Sequence, residues 1–124
     1  MKITIEGNPI TKKNSMQIVR FGNRPAIIPS KQYKAYEKEF IAQCMEQGFW
    51  NKGLNDEYNI GCKYYMKTRR RVDLTNLLSA TMDCLVAAKV IEDDNCKIAV
   101  SHDGSRVYYD KEHPRVEIEL KGVE

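Results

Sequence analysis

The sequence predicts a mixed α+β fold, in which two main helices pack on one mixed sheet. Segments near both ends and in the middle of the chain alternate apolar and polar residues, which is typical of half-buried strands. Two other segments repeat apolar residues at helical spacing. Their order, a strand, a helix, a strand, a helix and then closing strands, favours helices packed against a sheet.

The length of 124 residues is enough for one compact domain, so we expect residues 1–124 to form a single domain. The chain is 42% hydrophobic and 30% charged, and no apolar run approaches the length of a membrane span. The N-terminus lacks the apolar block of a signal peptide. These features predict a cytoplasmic protein.

The first half of the chain contains a strand and a helix. Residues 2–6 alternate, with Ile3 and Ile5 on one side. Ser30 is a suitable cap for a helix that runs to about Gln47, with Gly48 just beyond its end. The expected buried stripe of this helix consists of Tyr33, Tyr36, Phe40, Ile41 and Cys44. Residues 18–21 and 27–28 resemble a hairpin around Gly22-Asn23, although Pro25 weakens that interpretation.

The second half begins with a strand over residues 58–66, which has a clear period of two. Asp73 is a natural cap for a second helix that reaches about Ala88. Ile98 and Val100 then indicate a strand, and Asp103-Gly104 predicts a hairpin turn that leads to a returning strand over residues 107–109. Alternation over residues 116–120 predicts the last strand.

The four cysteines, Cys44, Cys62, Cys84 and Cys96, form no C-x-x-C pair. The two histidines, His102 and His113, complete no zinc-binding spacing with them. We therefore expect reduced cysteines that belong to the core.

Positive charge is concentrated in two places, although the net charge is only +3. Residues 1–40 carry eight Lys or Arg against three Glu, and Lys12 and Lys13 lie in a long connection there. Arg69, Arg70 and Arg71 immediately precede the second helix. Free amides and a partial positive charge at a helix start suit a phosphate, so this junction predicts a polyanion site. The alternative is a solubilising surface.

Carboxylates lie at both ends of the second helix. Asp73 opens it, and Glu92, Asp93 and Asp94 follow it. Carboxylate oxygens are the ligands that Mg²⁺ prefers, and metal ions make a phosphodiester susceptible to attack by water. Asp73 and Asp94 are the preferred metal ligands and catalytic residues, with Asp93 beside them and Glu92 as an outer candidate. The sequence therefore predicts a metal-dependent nuclease.

Each acid also has a simpler interpretation. Asp73 can serve only as a helix cap, residues 92–95 can be a solvated turn, and Asp83 can be a polar residue on the exposed helix face. Distance is a further difficulty, because a helix from Asp73 to Ala88 is about 22 Å long. A shared metal site requires the chain to double back along the helix at once, or requires a second subunit.

The run Val72-Asp73-Leu74-Thr75-Asn76-Leu77-Leu78, followed after a helix by Val90-Ile91-Glu92-Asp93-Asp94, resembles the RusA family of Holliday junction resolvases. The early segment Gly7-Asn8-Pro9-Ile10-Thr11-Lys12-Lys13-Asn14 is similar to the opening of that family. The resemblance spans nearly the whole chain.

The resemblance implies a small Mg²⁺-dependent homodimeric endonuclease, often encoded by prophages, that binds four-way DNA junctions and nicks two opposed strands symmetrically. We expect Mn²⁺ to substitute for Mg²⁺. The catalytic acids of the family correspond to Asp73 and Asp94, with Asp93 adjacent, and Asp83 matches a further acidic position.

Two positions depart from the family pattern: Thr75 replaces a second Asp, and Ser79 replaces a Lys of some members. The Thr75 hydroxyl and Asn76 are candidates to support a metal-held water, and Lys12 or Lys13 is a candidate for the missing cation. Two alternative functions stay open: a protein that binds branched DNA without cutting it, which the departures favour, and a nuclease for flaps or other branches, which keeps the chemistry and changes the substrate.

Overall fold

The computed structural model describes residues 1–12 and 16–123, and its central element is the predicted strand over residues 58–66. The elements in chain order are β1 (Lys2–Glu6), β2 (Met16–Phe21), β3 (Arg24–Pro29), α1 (Lys31–Glu46), β4 (Tyr58–Met66), α2 (Leu74–Ala87), β5 (Ala99–Ser101), β6 (Arg106–Tyr109) and β7 (Arg115–Gly122).

The main sheet has the order β1-β7-β4, with β5 and β6 both lying along the other edge of β4. The pairs β1–β7 and β7–β4 are antiparallel, whereas β5 and β6 run parallel to β4. Helix α1 packs against β1 and against α2. The predicted fold class, a mixed sheet with two main helices, is therefore confirmed in the part of the chain that the structure describes.

The core lies between the helices and one face of the sheet. Alternation along the strands sends every second side chain to that face, where burying apolar surface stabilises the fold. The fully buried strand residues are Ile3, Ile5, Ile60, Cys62, Tyr64, Val116 and Ile118. The Tyr64 hydroxyl lies 2.7 Å from the Thr81 hydroxyl of α2, so the polar ends of both side chains are satisfied inside the core.

Both helices begin near the predicted residues. Ser30 caps α1, since its hydroxyl accepts a hydrogen bond from the Tyr33 amide at 3.1 Å, and Gly48 follows the helix with a positive φ of 79°. The predicted stripe is confirmed for Tyr33, Phe40 and Cys44. Within residues 1–12 and 16–123, neither helix is long and apolar enough to cross a membrane.

Gln43 of α1 is buried although it lies outside the predicted apolar stripe. Its amide accepts a hydrogen bond from Glu6 N at 2.7 Å and donates one to Glu6 O at 3.1 Å. Gln47 makes the same pair of bonds to Thr4. The two side chains therefore occupy backbone groups that the edge strand β1 would otherwise leave open to another chain.

The predicted hairpin around Asp103-Gly104 is wrong. Strands β5 and β6 follow one another along the same edge of β4, and both are parallel to it. The turn between them is a kink, in which the Asn59 side chain bonds both backbone groups of Asp103. Cys62 N completes its pairing by donating to the Ser105 hydroxyl at 3.0 Å. A turn signal specifies a local reversal, but the partner strand decides which pairing follows.

Gly61 allows this kink to lie close to β4. A Cβ atom at that position would lie 2.8 Å from the backbone oxygen of Asp103. Because this is closer than packed atoms approach, only glycine fits without a shift of the backbone.

The hairpin of β2 and β3 around Gly22-Asn23 is confirmed, although Pro25 lies within it. Proline is tolerated because these strands form a separate two-stranded sheet, in which each strand has an open edge.

All four cysteines are free, as expected, but only Cys44, Cys62 and Cys84 are buried. The core assignment of Cys96 is wrong, since it lies exposed in the turn before β5. Burial raises the pKa of the Cys44 thiol to about 11 and that of Cys62 to about 12, so these thiols stay protonated and inert at neutral pH.

Candidate functional site

Asp73 occupies the N-cap position of α2, but its side chain does not act as a cap among the described residues. The amides of Asn76 and Leu77 bond to the backbone oxygen of Asp73, both at 3.1 Å. The carboxylate instead accepts a hydrogen bond from the Asn76 side-chain amide at 3.2 Å. Asp73 is exposed, so its carboxylate remains accessible to a ligand at the helix start.

The chain does double back after α2, as a shared site within one subunit requires. Lys89 takes a positive φ of 55°, and the next residues pair with the loop before β4. Leu54 forms a parallel bridge with Ile91, and Glu92 N donates to Leu54 O at 2.9 Å. This pairing directs residues 92–94 back along the helix.

Asp94 consequently reaches a cleft beside the first half of α2. The cleft has a volume of about 280 Å³. Its lining residues are Thr75, Leu78, Ser79, Met82, Asp94 and His102. We call it the Asp94 cleft. It joins the carboxylate that follows α2 to hydroxyls from the first two turns of that helix.

Asp93 and Asp94 differ in their surroundings. Asp93 accepts hydrogen bonds from Asp94 N at 2.8 Å and from the Asn95 side chain at 3.1 Å, and these bonds lower the pKa of its carboxyl group. Desolvation raises the pKa of Asp94, and the nearby negative groups Asp93 and Asp83 add to this effect. A cation in the cleft would relieve that repulsion. The turn interpretation therefore describes Asp93 well, whereas Asp94 presents its carboxylate to the cleft.

The acids do not form a closed metal cage. Within the described residues, no group of three or more His, Cys, Asp or Glu side chains is close enough to hold a metal ion. Asp94 lines the cleft, and Asp73 lies two residues before Thr75 at the exposed helix start. Such a sparse oxygen set fits Mg²⁺, which keeps several of its waters and needs only one or two carboxylates.

Asp83 lies on the exposed side of α2, where its carboxylate is 4.0 Å from the Lys12 ammonium. This contact brings Lys12 to the middle of the helix, one turn beyond Ser79. Lys13 was predicted to play a similar part, but it lies outside the described residues.

Arg69, Arg70 and Arg71, which we call the basic run, are exposed between β4 and α2. Arg70 and Arg71 line a cleft of about 360 Å³ together with residues 8–11 of the first loop. Asn8 joins the two segments, because its side chain accepts a hydrogen bond from Lys67 N at 2.9 Å. Basic residues and the first loop therefore form one surface at the start of α2.

His102 is part of the Asp94 cleft, although its spacing in the sequence suggested no role beyond an incomplete zinc pattern. Its Nδ1 lies 2.9 Å from the backbone oxygen of Ile60. A carbonyl oxygen only accepts, so Nδ1–H donates this bond and Nε2 is left as the available acceptor of the neutral ring. A single histidine in a turn gives no sequence signal for this position, which depends on the kink between β5 and β6.

Comparison with protein families gives a match over nearly the whole chain. The family model described as Endodeoxyribonuclease RusA matches residues 6–121, which is nearly the whole chain. A comparison with curated proteins gave no significant match. The match includes Asp73, the Asp94 cleft and the basic run, and it confirms the resemblance inferred from the sequence motifs.

Proposed function

The chain belongs to the RusA family of endodeoxyribonucleases, and on this premise we propose that it resolves four-way DNA junctions by symmetric paired nicks that require Mg²⁺. Membership supports a Holliday junction-resolving endonuclease in general. The metal requirement, the paired nicks and the residue roles below are our proposals.

The observation that carries the proposal is the position of Asp94 beside Thr75 and Ser79 in one cleft. Asp94 would bind Mg²⁺ together with Asp73, whose carboxylate makes no capping hydrogen bond to the described helix amides. The Asp93 carboxylate would support Asp94 by accepting the hydrogen bond from the Asp94 backbone amide, which fixes the turn. The Thr75 hydroxyl, with Asn76 beside Asp73, would orient a metal-held water.

When bound, Mg²⁺ would acidify the attacking water and neutralise charge on the phosphodiester. The side chains of the protein would supply further positive charge and the contacts to water and phosphate. Lys12 reaches Asp83 on α2, and we assign it the role of the cation that Ser79 does not supply. Asp83 would hold Lys12 in place. His102 would contact water or phosphate in the cleft through Nε2.

Arg69, Arg70 and Arg71 would bind the DNA backbone beside the start of α2, with Lys12 and Lys13 on the same substrate. Phosphate contacts of this kind position DNA without reading its sequence, which suits recognition of a branch rather than a base order. The charge and exposure of the basic surface support this role.

Symmetric cutting of two strands requires two sites, and the described part of the chain offers one Asp94 cleft. A homodimer with two-fold symmetry would present one site to each of two related strands. We therefore propose a homodimer. The single-domain organisation and the cytoplasmic location remain predictions from the sequence.

The decisive experiment compares cleavage of a four-way junction, a flap and a plain duplex by the wild type and by Asp94→Asn. In Mg²⁺ or Mn²⁺, the wild type should cut the junction into paired nicked products. The variant should bind the junction with unchanged affinity but not cut it. Glu119→Gln is the control, since Glu119 lies on the face of the sheet away from the helices, where its carboxylate pairs with Lys121.

The same experiment separates the alternatives. Salt-sensitive binding without products in either metal would indicate a protein that binds branched DNA but does not cut it, which the hydroxyls at Thr75 and Ser79 favour. Preferred cleavage of the flap would indicate a nuclease for other branches. Normal junction cleavage by Asp94→Asn would refute the assignment of the site.

A further inference from the structure

A third cleft opens where β6 ends, beside the basic run. Its volume is about 380 Å³. The lining residues are Met66, Thr68, Arg69, Arg70, Val107, Tyr108 and Tyr109. We call it the Tyr109 cleft. It shares Arg70 with the cleft of the first loop, so it belongs to the same surface at the start of α2.

The strand register explains how Tyr109 comes to line this cleft. Tyr108 pairs with Tyr65, and the two rings stack on the open face of the sheet with centroids 4.9 Å apart. Successive residues of a strand point to opposite faces. Tyr109 therefore points to the other face, where it pairs with Met66 at the edge of the helical layer.

Tyr109 keeps much of its ring surface accessible, because its side chain is 42% exposed. The guanidinium of Arg69 lies 4.2 Å from the ring centroid, which is a cation–π contact. The aromatic ring is therefore held in place by an arginine and retains exposed surface.

The chemistry of the cleft fits one class of ligand. Of the described residues that line it, none is acidic, while Arg69 and Arg70 are positive. An exposed aromatic ring beside guanidinium groups binds nucleobases by stacking, and the same guanidiniums attract the flanking phosphates. A base inside a duplex is already stacked on its neighbours. The fitting ligand is therefore an unpaired or unstacked base.

We propose that Tyr109 and Arg69 form a stacking platform for an unpaired nucleobase of the DNA strand that enters the Asp94 cleft. This inference rests on the proposed function, since it assigns a subsite for the same substrate. Arg69 holds one surface of the ring and adds positive charge. The base stacks on the exposed surface of the ring, and Arg70 contacts the adjacent phosphate.

The test measures how strongly binding depends on bases, without cleavage. The affinity of each variant for a short oligothymidylate is compared with its affinity for an abasic strand of the same length, in Ca²⁺. The wild type should bind the oligothymidylate about fivefold to over a hundredfold more tightly, which is the range of a single aromatic stacking contact. Tyr109→Ala and Tyr109→Leu should lose this preference and bind the abasic strand as the wild type does. Tyr109→Phe should retain the preference.

Two further variants separate stacking from charge. Arg70→Ala should weaken binding of both strands by the same factor, because a phosphate contact does not depend on the base. Trp50→Ala is the matched aromatic control, since Trp50 is 47% exposed and its neighbour Asn51 bonds Ala88 at the opposite end of α2. This variant should keep the wild-type preference.

An unchanged preference for oligothymidylate in both Tyr109→Ala and Tyr109→Leu would overturn the platform. So would an equal loss of affinity for both strands. Junction cleavage by the wild type in Mg²⁺ and Mn²⁺ is measured in parallel. Normal cleavage together with an unchanged preference refutes the platform alone, whereas absent cleavage refutes the proposed nuclease.

Discussion

Asn76 donates a hydrogen bond to the carboxylate of Asp73 at 3.2 Å, across the first turn of α2. The acid at the helix start is therefore oriented by a side chain, while the helix amides bond to its backbone oxygen. This arrangement separates two roles that a sequence motif cannot separate, since an aspartate at this position serves equally well as a cap or as a ligand.

The first prediction concerns that separation. Asp73→Asn should leave the free energy of unfolding nearly unchanged, because no capping bond is lost, yet it should abolish junction cleavage in Mg²⁺. Ser30→Ala is the contrasting variant, since the Ser30 hydroxyl does accept the Tyr33 amide. It should lower the free energy of unfolding by about 1 kcal/mol and leave cleavage intact. Urea denaturation and a cleavage assay measure both effects, and destabilisation of Asp73→Asn equal to that of Ser30→Ala would contradict the prediction.

The second prediction concerns His102. His102→Ala should slow junction cleavage by about tenfold or more, with little change in junction affinity, because the ring lies in the Asp94 cleft and not on the basic surface. Single-turnover cleavage and a binding titration in Ca²⁺ separate the two quantities. His113→Ala is the control, since His113 bonds Glu6 on the exposed surface. Equal cleavage rates for His102→Ala and His113→Ala would show that His102 takes no part in cleavage.

The third prediction concerns Gly61. Gly61→Ala should lower the free energy of unfolding by about 1–3 kcal/mol, because its Cβ would lie 2.8 Å from Asp103 O and the kink would have to move. Cleavage should fall as well, since His102 lies in that kink and bonds Ile60. Gly122→Ala is the control, because a Cβ there meets no described atom within 4 Å. A Gly61→Ala protein of wild-type stability and activity would show that the kink tolerates the shift.

The fourth prediction concerns Asp110 and acid stability. Desolvation acts to raise the pKa of Asp110, but hydrogen bonds from the Arg115 guanidinium at 3.1 Å and from His113 N at 3.1 Å outweigh it, so the pKa is lowered. A lowered folded pKa gives stability that is present above the unfolded value of about 3.9 and is lost as the pH falls through the folded value.

Asp110→Asn should therefore be less stable than the wild type at pH 7, and the difference should shrink below about pH 4. Urea denaturation across this pH range measures it. If the difference between Asp110→Asn and the wild type persisted unchanged in acid, the ion pair would not be its source.

Much of the fold follows from local patterns. The period of two in β4 and β7, the apolar stripe of α1 and the Ser30 cap depend on residues that are near each other in the chain, so the sequence is sufficient to predict them. The prediction of a hairpin at Asp103-Gly104 was wrong because the turn signal is local, whereas pairing with β4 depends on residues about 40 positions away. The prediction that Cys96 is buried was wrong because a short turn has no periodic pattern from which burial can be predicted.

The candidate site divides in the same way. The sequence alone determined which residue types carry the chemistry, namely Asp73, Asp94 and the arginines of the basic run, because charge and motif are properties of the chain itself. Only the tertiary structure decided that Asp94 and His102 meet Thr75 of α2 in one cleft and that Tyr109 lies beside Arg69. Those positions depend on pairing of Leu54 with Ile91 and of β6 with β4, and such contacts between distant segments form only when the core packs.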